Sequence, residues 1–425
     1  MTDVEVHIDL DGEALRVGTL RRRAGRGQET VTFEYHDAWL EHDARFSLEP
    51  ALLLTRGAFA PANGAPLFGS IGDSAPDTWG RRLMQRAERK AAEREKRPVR
   101  TLQDVDYLLG VSDVSRLGAL RFRPDGGDVF LSERGQGVPG ALELGRLLQI
   151  TERIGRDEET EEDLQMIFAP GSSLGGARPK ASVFDQHGRL SIAKFPKETD
   201  DYSLETWEAV ALDLAVQAGI RTAEHDLVVA AGKPVLLSHR FDRHGVRRIP
   251  FLSALSLLGL RDGEQASYPE LMDGLVGVGA DVSADAAELY RRLVFNVLVS
   301  NVDDHLRNHG FLWSGKAGWR LSPVYDVNPT PTDVRARTLT TGIQPDAFDC
   351  DLGLVLEAAD YFNLSATEAR GTVRAVAEVT ATWREAASRR GAKPAEIKRM
   401  QSAFEHADLD KACLLYTSPS PRDCS

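Results

Sequence analysis

The sequence contains little cysteine. Its three residues of this type, Cys350, Cys413 and Cys424, are odd in number and widely spaced, which predicts neither a disulfide framework nor a zinc site. No apolar run approaches the roughly 20 residues needed to cross a bilayer. A secretory signal is also lacking, because polar and apolar residues alternate from Asp3 to Leu10. These absences favour a soluble, cytoplasmic protein without a membrane partner.

Positive charge is also in deficit. Lys and Arg number 52 against 64 Asp and Glu, for a net charge of −12, which argues against a chain that coats nucleic acid. One local exception is the segment 81–100, which has nine basic residues and three Glu. The favoured interpretation is a solvated helix face with Glu–Arg pairs, and the alternative is a basic face that helps a partner bind DNA.

A chain of 425 residues is too long for one ordinary core, so we expect two or three packed units. Alternating runs between Val4 and Phe33 predict an opening antiparallel sheet, and a charged helix follows with Asp77 or Thr78 as its cap. Further strands are predicted at 118–122, 181–184, 190–195, 226–230 and 234–238. Further helices are predicted at 203–219, 289–300 and 365–390, the last with Ser365 and Glu368 at capping-box spacing.

The segment Gly171-Ser-Ser-Leu-Gly-Gly-Ala-Arg-Pro-Lys180 is rich in glycine and small hydroxyl residues. Such residues let backbone N–H groups approach an anion, and phosphate is the obvious ligand. The segment is not a Walker A loop, because Ala177 stands where that motif requires Lys. Considered alone, a tight turn before a strand explains it equally well.

Lys194 lies at the end of the apolar strand that follows this segment. A strand lysine there can reach nucleotide phosphates, as the β3 lysine of protein kinases does. Glu205 and Glu208 on the next helix are candidate partners for its amine. The alternative is an exposed lysine beside two solvated carboxylates.

A dense polar segment, Ser300-Asn-Val-Asp-Asp-His-Leu-Arg-Asn-His-Gly-Phe311, begins where a buried apolar helix is predicted to end. Asp303 and Asn308 have the interval of the kinase catalytic loop H-R-D-x-x-x-x-N, in which the Asp receives the hydroxyl proton and the Asn holds magnesium. Asp326 follows a short apolar run and precedes a turn that contains proline, and its carboxylate is a suitable ligand for magnesium. A carboxylate at such a place is otherwise a turn or cap residue.

Several blocks resemble, in order, those of HipA-like serine/threonine kinases: FEYHDAWL, LFGSIGDSAPDTWGRRLM, RLGALRF, GSSLGGARPKA, AKFP, SHRFDR, NVDDHLRNHGFL and SPVYDVNP. The resemblance extends from about Val4 to Phe362. It implies an α+β fold with an N-terminal β-rich subdomain at 1–125 and a kinase-like ATP-binding core with a small mixed sheet at 126–285. A helical C-terminal lobe at 286–413 completes that fold. Residues 414–425 resemble translated adapter or vector sequence, and we expect them to be non-native.

The resemblance also implies ATP and Mg²⁺ as cofactors. Asp303 would be catalytic, orienting and deprotonating the substrate hydroxyl, and Asn308 and Asp326 would hold the metal. His239 to Phe241 would form the hinge beside adenine. The nucleotide-binding set implied in this way is Ser173, Leu174, Gly175, Gly176, Ala177, Arg178, Lys180, Lys194, His239, Arg240, Phe241, His305, Asn308 and Asp326.

Biologically, the resemblance implies the toxin of a toxin–antitoxin pair, which phosphorylates a translation-related protein such as an aminoacyl-tRNA synthetase. Its partner would be a helix-turn-helix antitoxin that binds operator DNA. Autophosphorylation would fall on Ser173, with Ser172 as the alternative position, and a dianionic group there would compete with ATP phosphates. Asp304 departs from the pattern, since some relatives have Gly after the catalytic Asp; it is either a third metal ligand or a competitor for the catalytic role.

Two other functions remain open from the residues. A metal-dependent phosphohydrolase would use Asp303, Asp304, His305 and His309 to hold a transition metal that activates water. A non-catalytic corepressor would bind an antitoxin and use the basic segment 81–100.

Overall fold

The computed structural model describes residues 3–24, 29–130, 138–168 and 176–415. The predicted tail begins at residue 414, so all of it except residues 414 and 415 lies outside the described residues. The described part of the chain is mixed α and β, with small antiparallel sheets and many helices. The predicted α+β class is therefore confirmed.

The strands are short except for the first hairpin. In chain order they are β1 Val4–Leu10, β2 Glu13–Ala24, β3 Glu29–Tyr35, β4 Ala58–Phe59, β5 Leu120–Pro124, β6 Lys180–Phe184, β7 Leu190–Lys194, β8 His225–Ala230, β9 Lys233–His239, β10 Arg243–His244, β11 Arg247–Arg248, β12 Phe251–Ser253, β13 Gly310–Trp313 and β14 Trp319–Leu321.

The helices dominate the C-terminal half. In chain order they are α1 Asp37–Glu41, α2 Gly69–Gly72, α3 Thr78–Arg94, α4 Asp104–Gly110, α5 Leu144–Gly155, α6 Glu161–Phe168, α7 Leu204–Gln217, α8 Ala254–Leu257, α9 Tyr268–Val278, α10 Val282–Leu298, α11 Leu352–Glu357, α12 Ala366–Thr380, α13 Trp383–Arg389, α14 Pro394–Phe404 and α15 Ala407–Leu414. Within the described ranges, no helix is long and apolar enough to cross a membrane.

Two compact units are formed from interleaved segments of the chain. The first unit comprises Met1–Asp200, Glu224–Asp262 and Gly310–Lys316. The second comprises Asp201–Ala223, Gly263–His309 and Ala317–Ser425. The sequence-based limits 1–125, 126–285 and 286–413 stay a prediction.

The first unit contains the antiparallel strand pairs β10–β11 and β12–β13 and two larger antiparallel sheets. One has the strand order β4-β3-β2-β1-β5 and buries alternating apolar residues such as Val6, Val17 and Phe33. The other has the order β6-β7-β9-β8, and its apolar face packs with α3, α5 and α6 in a cluster that includes Trp79, Leu147 and Val183. This second sheet presents Lys180 and Lys194.

The second unit is helical and organised around α10. Eleven residues of this helix are buried, because it is surrounded by α9, α11, α12 and α15. Trp207 of α7 lies 6.2 Å from Trp383 of α13 and 6.1 Å from Phe404 of α14, measured between ring centroids. The loop that follows α10 is thereby fixed at its start by a rigid core element.

Candidate active site

The loop that carries the predicted catalytic residues begins at a sharp end of α10. Ser300 has a left-handed backbone with φ of +53°, which is unusual for a residue with a side chain. Its hydroxyl donates to the Ala403 carbonyl at 2.7 Å and accepts from Arg337 Nε at 3.0 Å. These two contacts hold the chain at the point where it leaves the helix.

The adjacent acids Asp303 and Asp304 have opposite environments. The Asp303 side chain is 63% exposed, and its Oδ1 lies 3.2 Å from Arg335 Nη1. The Asp304 side chain is 5% exposed, accepts from the Tyr268 hydroxyl and lies 3.1 Å from His309 Nε2. The loop therefore presents only the first of its two carboxylates to solvent.

The pKa of the buried Asp304 carboxylate lies below its ordinary value. Burial would raise the pKa of Asp304, but His309 and the Tyr268 hydroxyl stabilise the anion and hold the pKa below its ordinary value. Burial and the neighbouring Asp304 charge raise the pKa of Tyr268 well above its ordinary value. Asp304 is thus an ionised carboxylate that accepts from Tyr268 and His309, and these contacts hold the loop in place.

Asn308 closes the loop onto Asp303. It ends a 3-10 turn, Leu306–Asn308, and its Nδ2 donates to the Asp303 carbonyl at 3.2 Å. Among the described residues its buried Oδ1 has no hydrogen-bond partner. A buried amide oxygen without a partner costs free energy unless a donor or a cation satisfies it.

Asp326 occupies a strained turn that is connected to the same loop. Its φ is +57°, and its backbone N–H donates to Glu208 Oε1 at 3.1 Å. Asn328 Nδ2 donates to Asp326 Oδ1 at 3.1 Å, and the Asn328 N–H donates to Asn301 Oδ1 at 3.0 Å. The two polar segments are therefore linked by hydrogen bonds within the second unit.

These residues fit a hard divalent cation better than a transition metal. Mg²⁺ is usually held by one or two protein oxygens, with phosphates and waters completing its shell, and Asn308 Oδ1 and the Asp326 carboxylate are oxygens of this kind. Across the described ranges, no group of three or more His, Cys, Asp or Glu side chains is arranged to hold a metal. Asp304 and His309 bind each other, and His305 lies in the turn before Asn308.

The predicted phosphate-binding residues lie in the first unit. Ser172, Ser173, Leu174 and Gly175 fall outside the described residues. Gly176 and Ala177 are exposed, while Arg178 forms two bonds to the Asp200 carboxylate, at 2.8 and 2.5 Å. Lys180 is buried and donates to Asp77 Oδ2 at 2.8 Å. Lys194 is half-buried at the end of β7.

The predicted hinge, His239 to Phe241, begins at the last residue of β9 in the same unit. His239 Nδ1 lies 2.8 Å from Ser191 Oγ, and its Nε2 lies 2.9 Å from Asp226 Oδ2. Arg240 is buried in a two-bond ion pair with Asp242 and donates to two main-chain carbonyls. The Arg240 guanidinium is thus engaged within the fold. Phe241 lies 6.3 Å from Phe251 between ring centroids.

Sequence reasoning missed three residues around Asp303. Tyr268 of α9 donates to Asp304, and Asn296 of α10 donates to the Tyr268 hydroxyl. Arg335 approaches Asp303 from a later loop. Tyr268 follows Ser267, which caps α9 with Glu270, so a helix start there was readable. Nothing in the local pattern indicates that its hydroxyl faces a buried acid 36 positions later.

Two family descriptions match this chain. Residues 172–384 match the HipA-like C-terminal domain, and residues 8–105 match the HipA N-terminal domain. The chain belongs to the HipA family. Asp303, Asn308 and Asp326 fall within the C-terminal domain of that family, as do Lys180 and Lys194.

Individual relatives agree with this assignment. The protein named Putative kinase Y4mE from Sinorhizobium fredii is 24% identical over 331 residues, which is 71% of this chain and 72% of that protein. A protein of Haemophilus influenzae named Putative kinase is 24% identical over 188 residues, covering 38% of this chain and 54% of that protein.

A solved structure shows that this chain has the HipA fold. It is the complex of the Shewanella oneidensis toxin–antitoxin system HipA, HipB and operator DNA. The match has a TM-score of 0.69 at 18% identity and covers 97% of this chain and 96% of that chain.

Proposed function

We propose that this HipA-family protein is an ATP-dependent serine/threonine protein kinase with Asp303 as its catalytic residue. The observation that carries the proposal is the opposite burial of Asp303 and Asp304. A general base must reach the proton of its substrate, and only Asp303 is exposed. Asp304, enclosed by Tyr268 and His309, acts instead as a support for the loop.

Each remaining site residue has a role in this proposal. Asn308 and Asp326 hold Mg²⁺, which would neutralise charge on the transferring phosphoryl group. Lys194, with the segment Ser173 to Lys180, binds the nucleotide phosphates. The main chain of His239 to Phe241 lies beside adenine, and His305 joins the nucleotide-binding set. Asn308 also fixes the Asp303 carbonyl, which orients the catalytic carboxylate.

The proposal extends to regulation and partners. We infer autophosphorylation at Ser173, with Ser172 as the alternative, because a phosphate there would compete with those of ATP. The solved relative is a complex of HipA with HipB and operator DNA. We therefore infer a cytoplasmic toxin restrained by a helix-turn-helix antitoxin, which supplies the contact with operator DNA. Its protein substrate would be translation-related, for example an aminoacyl-tRNA synthetase.

The structure weakens both alternative functions. A phosphohydrolase would need Asp304 and His309 as metal ligands, but the two side chains bind each other in a buried cluster. A DNA-contacting basic face at 81–100 would need free cations. Arg81, Arg86 and Arg97 pair with Asp104, Glu159 and Glu88, so part of the positive charge of that segment is balanced within the fold.

The test is the transfer of radiolabel from γ-labelled ATP to the full chain and to a generic protein substrate with Mg²⁺. Asp303→Asn should lower the rate by about 10²- to 10⁴-fold, the usual contribution of a general base. The matched control is Asp333→Asn, which removes an exposed carboxylate that pairs with Arg399 at 3.1 Å. Transfer at the native rate by Asp303→Asn would contradict the assignment. Phosphoester cleavage without ATP would support the hydrolase.

A further inference from the structure

Lys180 and Lys194 are neighbours on the adjacent strands β6 and β7 of the first unit. They are directly paired in the register of β6 and β7, and directly opposite residues of antiparallel strands point to the same face. Like charges in such positions repel each other, so one of the two needs a counterion. Lys180, whose side chain is 5% exposed, obtains it from Asp77.

Asp77 uses its two carboxylate oxygens for different purposes. Oδ1 accepts from the Gly80 N–H at 2.8 Å and caps the 17-residue helix α3. Oδ2 accepts from Lys180 Nζ at 2.8 Å. The side chain is 2% exposed, so this ion pair is shielded from solvent and is screened little by salt.

Trp79 makes two further connections between the start of α3 and the same segment. Its indole Nε1 donates to the Lys180 carbonyl at 3.0 Å, and its backbone N–H donates to the Gly176 carbonyl at 3.3 Å. Gly176 has a φ of +100°, and a Cβ there would lie 2.9 Å from Lys180 Nζ. Both ends of the segment Gly176 to Lys180 are therefore held by one helix start.

We propose that Asp77 is a positioning residue for nucleotide binding, which fixes the Lys180 ammonium and the end of the glycine-rich segment for contact with phosphate. This inference rests on the proposed function, in which these residues bind ATP. Residues 8–105 match the HipA N-terminal domain, whereas Lys180 lies in the C-terminal one. The N-terminal domain thus contributes to the nucleotide site through Asp77.

The decisive variant is Asp77→Asn, because Asn caps a helix about as well as Asp but does not balance the charge of Lys180. Calorimetric titration of the full chain with the non-hydrolysable analogue AMP-PNP and Mg²⁺ should show about tenfold weaker binding. Titration with adenosine, which lacks phosphates, should be unchanged. The matched control is Asp104→Asn, which breaks the pair of Asp104 with Arg81 of the same helix; it should bind AMP-PNP as the native protein does.

A double-mutant cycle with Lys180→Met tests whether Asp77 affects AMP-PNP binding through Lys180. If Asp77 acts through Lys180, Asp77→Asn should have no further effect on AMP-PNP binding in the Lys180→Met background. This neutral pair also avoids an uncompensated buried charge if Asp77→Asn alone fails to fold. Native or tighter AMP-PNP binding by Asp77→Asn would overturn the inference. An equal loss of AMP-PNP affinity from Asp77→Asn in the native and the Lys180→Met backgrounds would also overturn it. A native protein that binds neither compound would instead refute the proposed function.

Discussion

Tyr268, Asn296, Asp304 and His309 form a buried hydrogen-bonded cluster directly beside the exposed Asp303. The Tyr268 hydroxyl is central, because it donates to Asp304 and accepts from Asn296 Nδ2 at 2.9 Å. Hydrogen bonds of this kind restrict the conformations of the side chains that they join. We therefore regard the cluster as the support that keeps Asp303 in a constant position while its carboxylate faces solvent.

Removal of that single hydroxyl should destabilise the protein. Tyr268→Phe leaves the Asn296 amide without its acceptor and Asp304 without one donor, so the free energy of unfolding should fall by about 1–3 kcal/mol. Urea unfolding followed by circular dichroism measures the change. Tyr361→Phe, at a tyrosine that is 52% exposed, is the control and should shift the midpoint little. Equal midpoints for the two variants would contradict the role assigned to Tyr268.

At the scale of the element, helix α15 begins on a histidine cap. His406 Nδ1 accepts from the Leu409 N–H at 3.3 Å, and Nε2 donates to the Leu298 carbonyl at 3.1 Å. A ring that accepts at one nitrogen and donates at the other must be neutral. Burial, with the nearby Arg337 charge, accordingly lowers the pKa of His406 from 6.5 to about 4.

This cap should make stability depend on pH. The unfolded chain binds the proton more readily between pH 6.5 and about 4, so the contribution of His406 is present above pH 6.5 and is lost as the pH falls to about 4. At pH 5 the loss is about 2 kcal/mol. His406→Asn keeps a capping acceptor without an imidazole, so thermal melts at pH 7 and 5 should differ less than in the native protein.

The control for this experiment is Ser365→Asn, which changes the cap of α12 without removing a titrating ring. It should retain the native dependence on pH. A His406→Asn variant with the native dependence would show that His406 does not contribute to it.

Elements with strong local signals were predictable from the sequence. Ser365 caps α12 as predicted, the helix predicted at 203–219 is α7, and the strands near 181–184 and 190–195 are confirmed. The predicted helix 365–390 is wrong as a single element, since α12 ends at Thr380 and α13 begins at Trp383. The Thr382 hydroxyl donates to the Val379 carbonyl and competes with the helix bonds there.

Predictability was lower for contacts between distant residues. The candidates Lys194, Asp303, Asn308 and Asp326 came from short local patterns in the sequence, and their roles stay predictions. The ion pair of Lys180 with Asp77 joins residues 103 positions apart, and the Arg335–Asp303 pair joins residues 32 positions apart. Such contacts depend on how the elements pack, which no window of sequence contains.

At the scale of the whole molecule, the chain passes repeatedly between its two units. The first unit includes β13, which pairs with β12 at Phe251 and Leu312 and at Ser253 and Gly310. The two strands pair although 56 residues of the chain lie between them. Unit two needs α7, whose Trp207 packs with Trp383 and Phe404. Each unit is therefore completed by a segment that is separated in sequence from the rest of that unit.

This interleaving predicts how fragments behave when the chain is cut at the sequence-based limit between residues 285 and 286. The N-terminal fragment would lack the β13 partner of β12 and would expose Trp207, and the C-terminal fragment would expose Trp383. Neither fragment should show the near-ultraviolet circular dichroism of the intact chain, because the fixed packing of these aromatic side chains requires both fragments. Each isolated fragment should also bind the dye ANS, which reports exposed apolar surface. Co-expressed fragments should associate and recover that signal. A cooperative thermal transition of the isolated fragment 1–285, with native-like aromatic signal, would show instead that this limit separates autonomous domains.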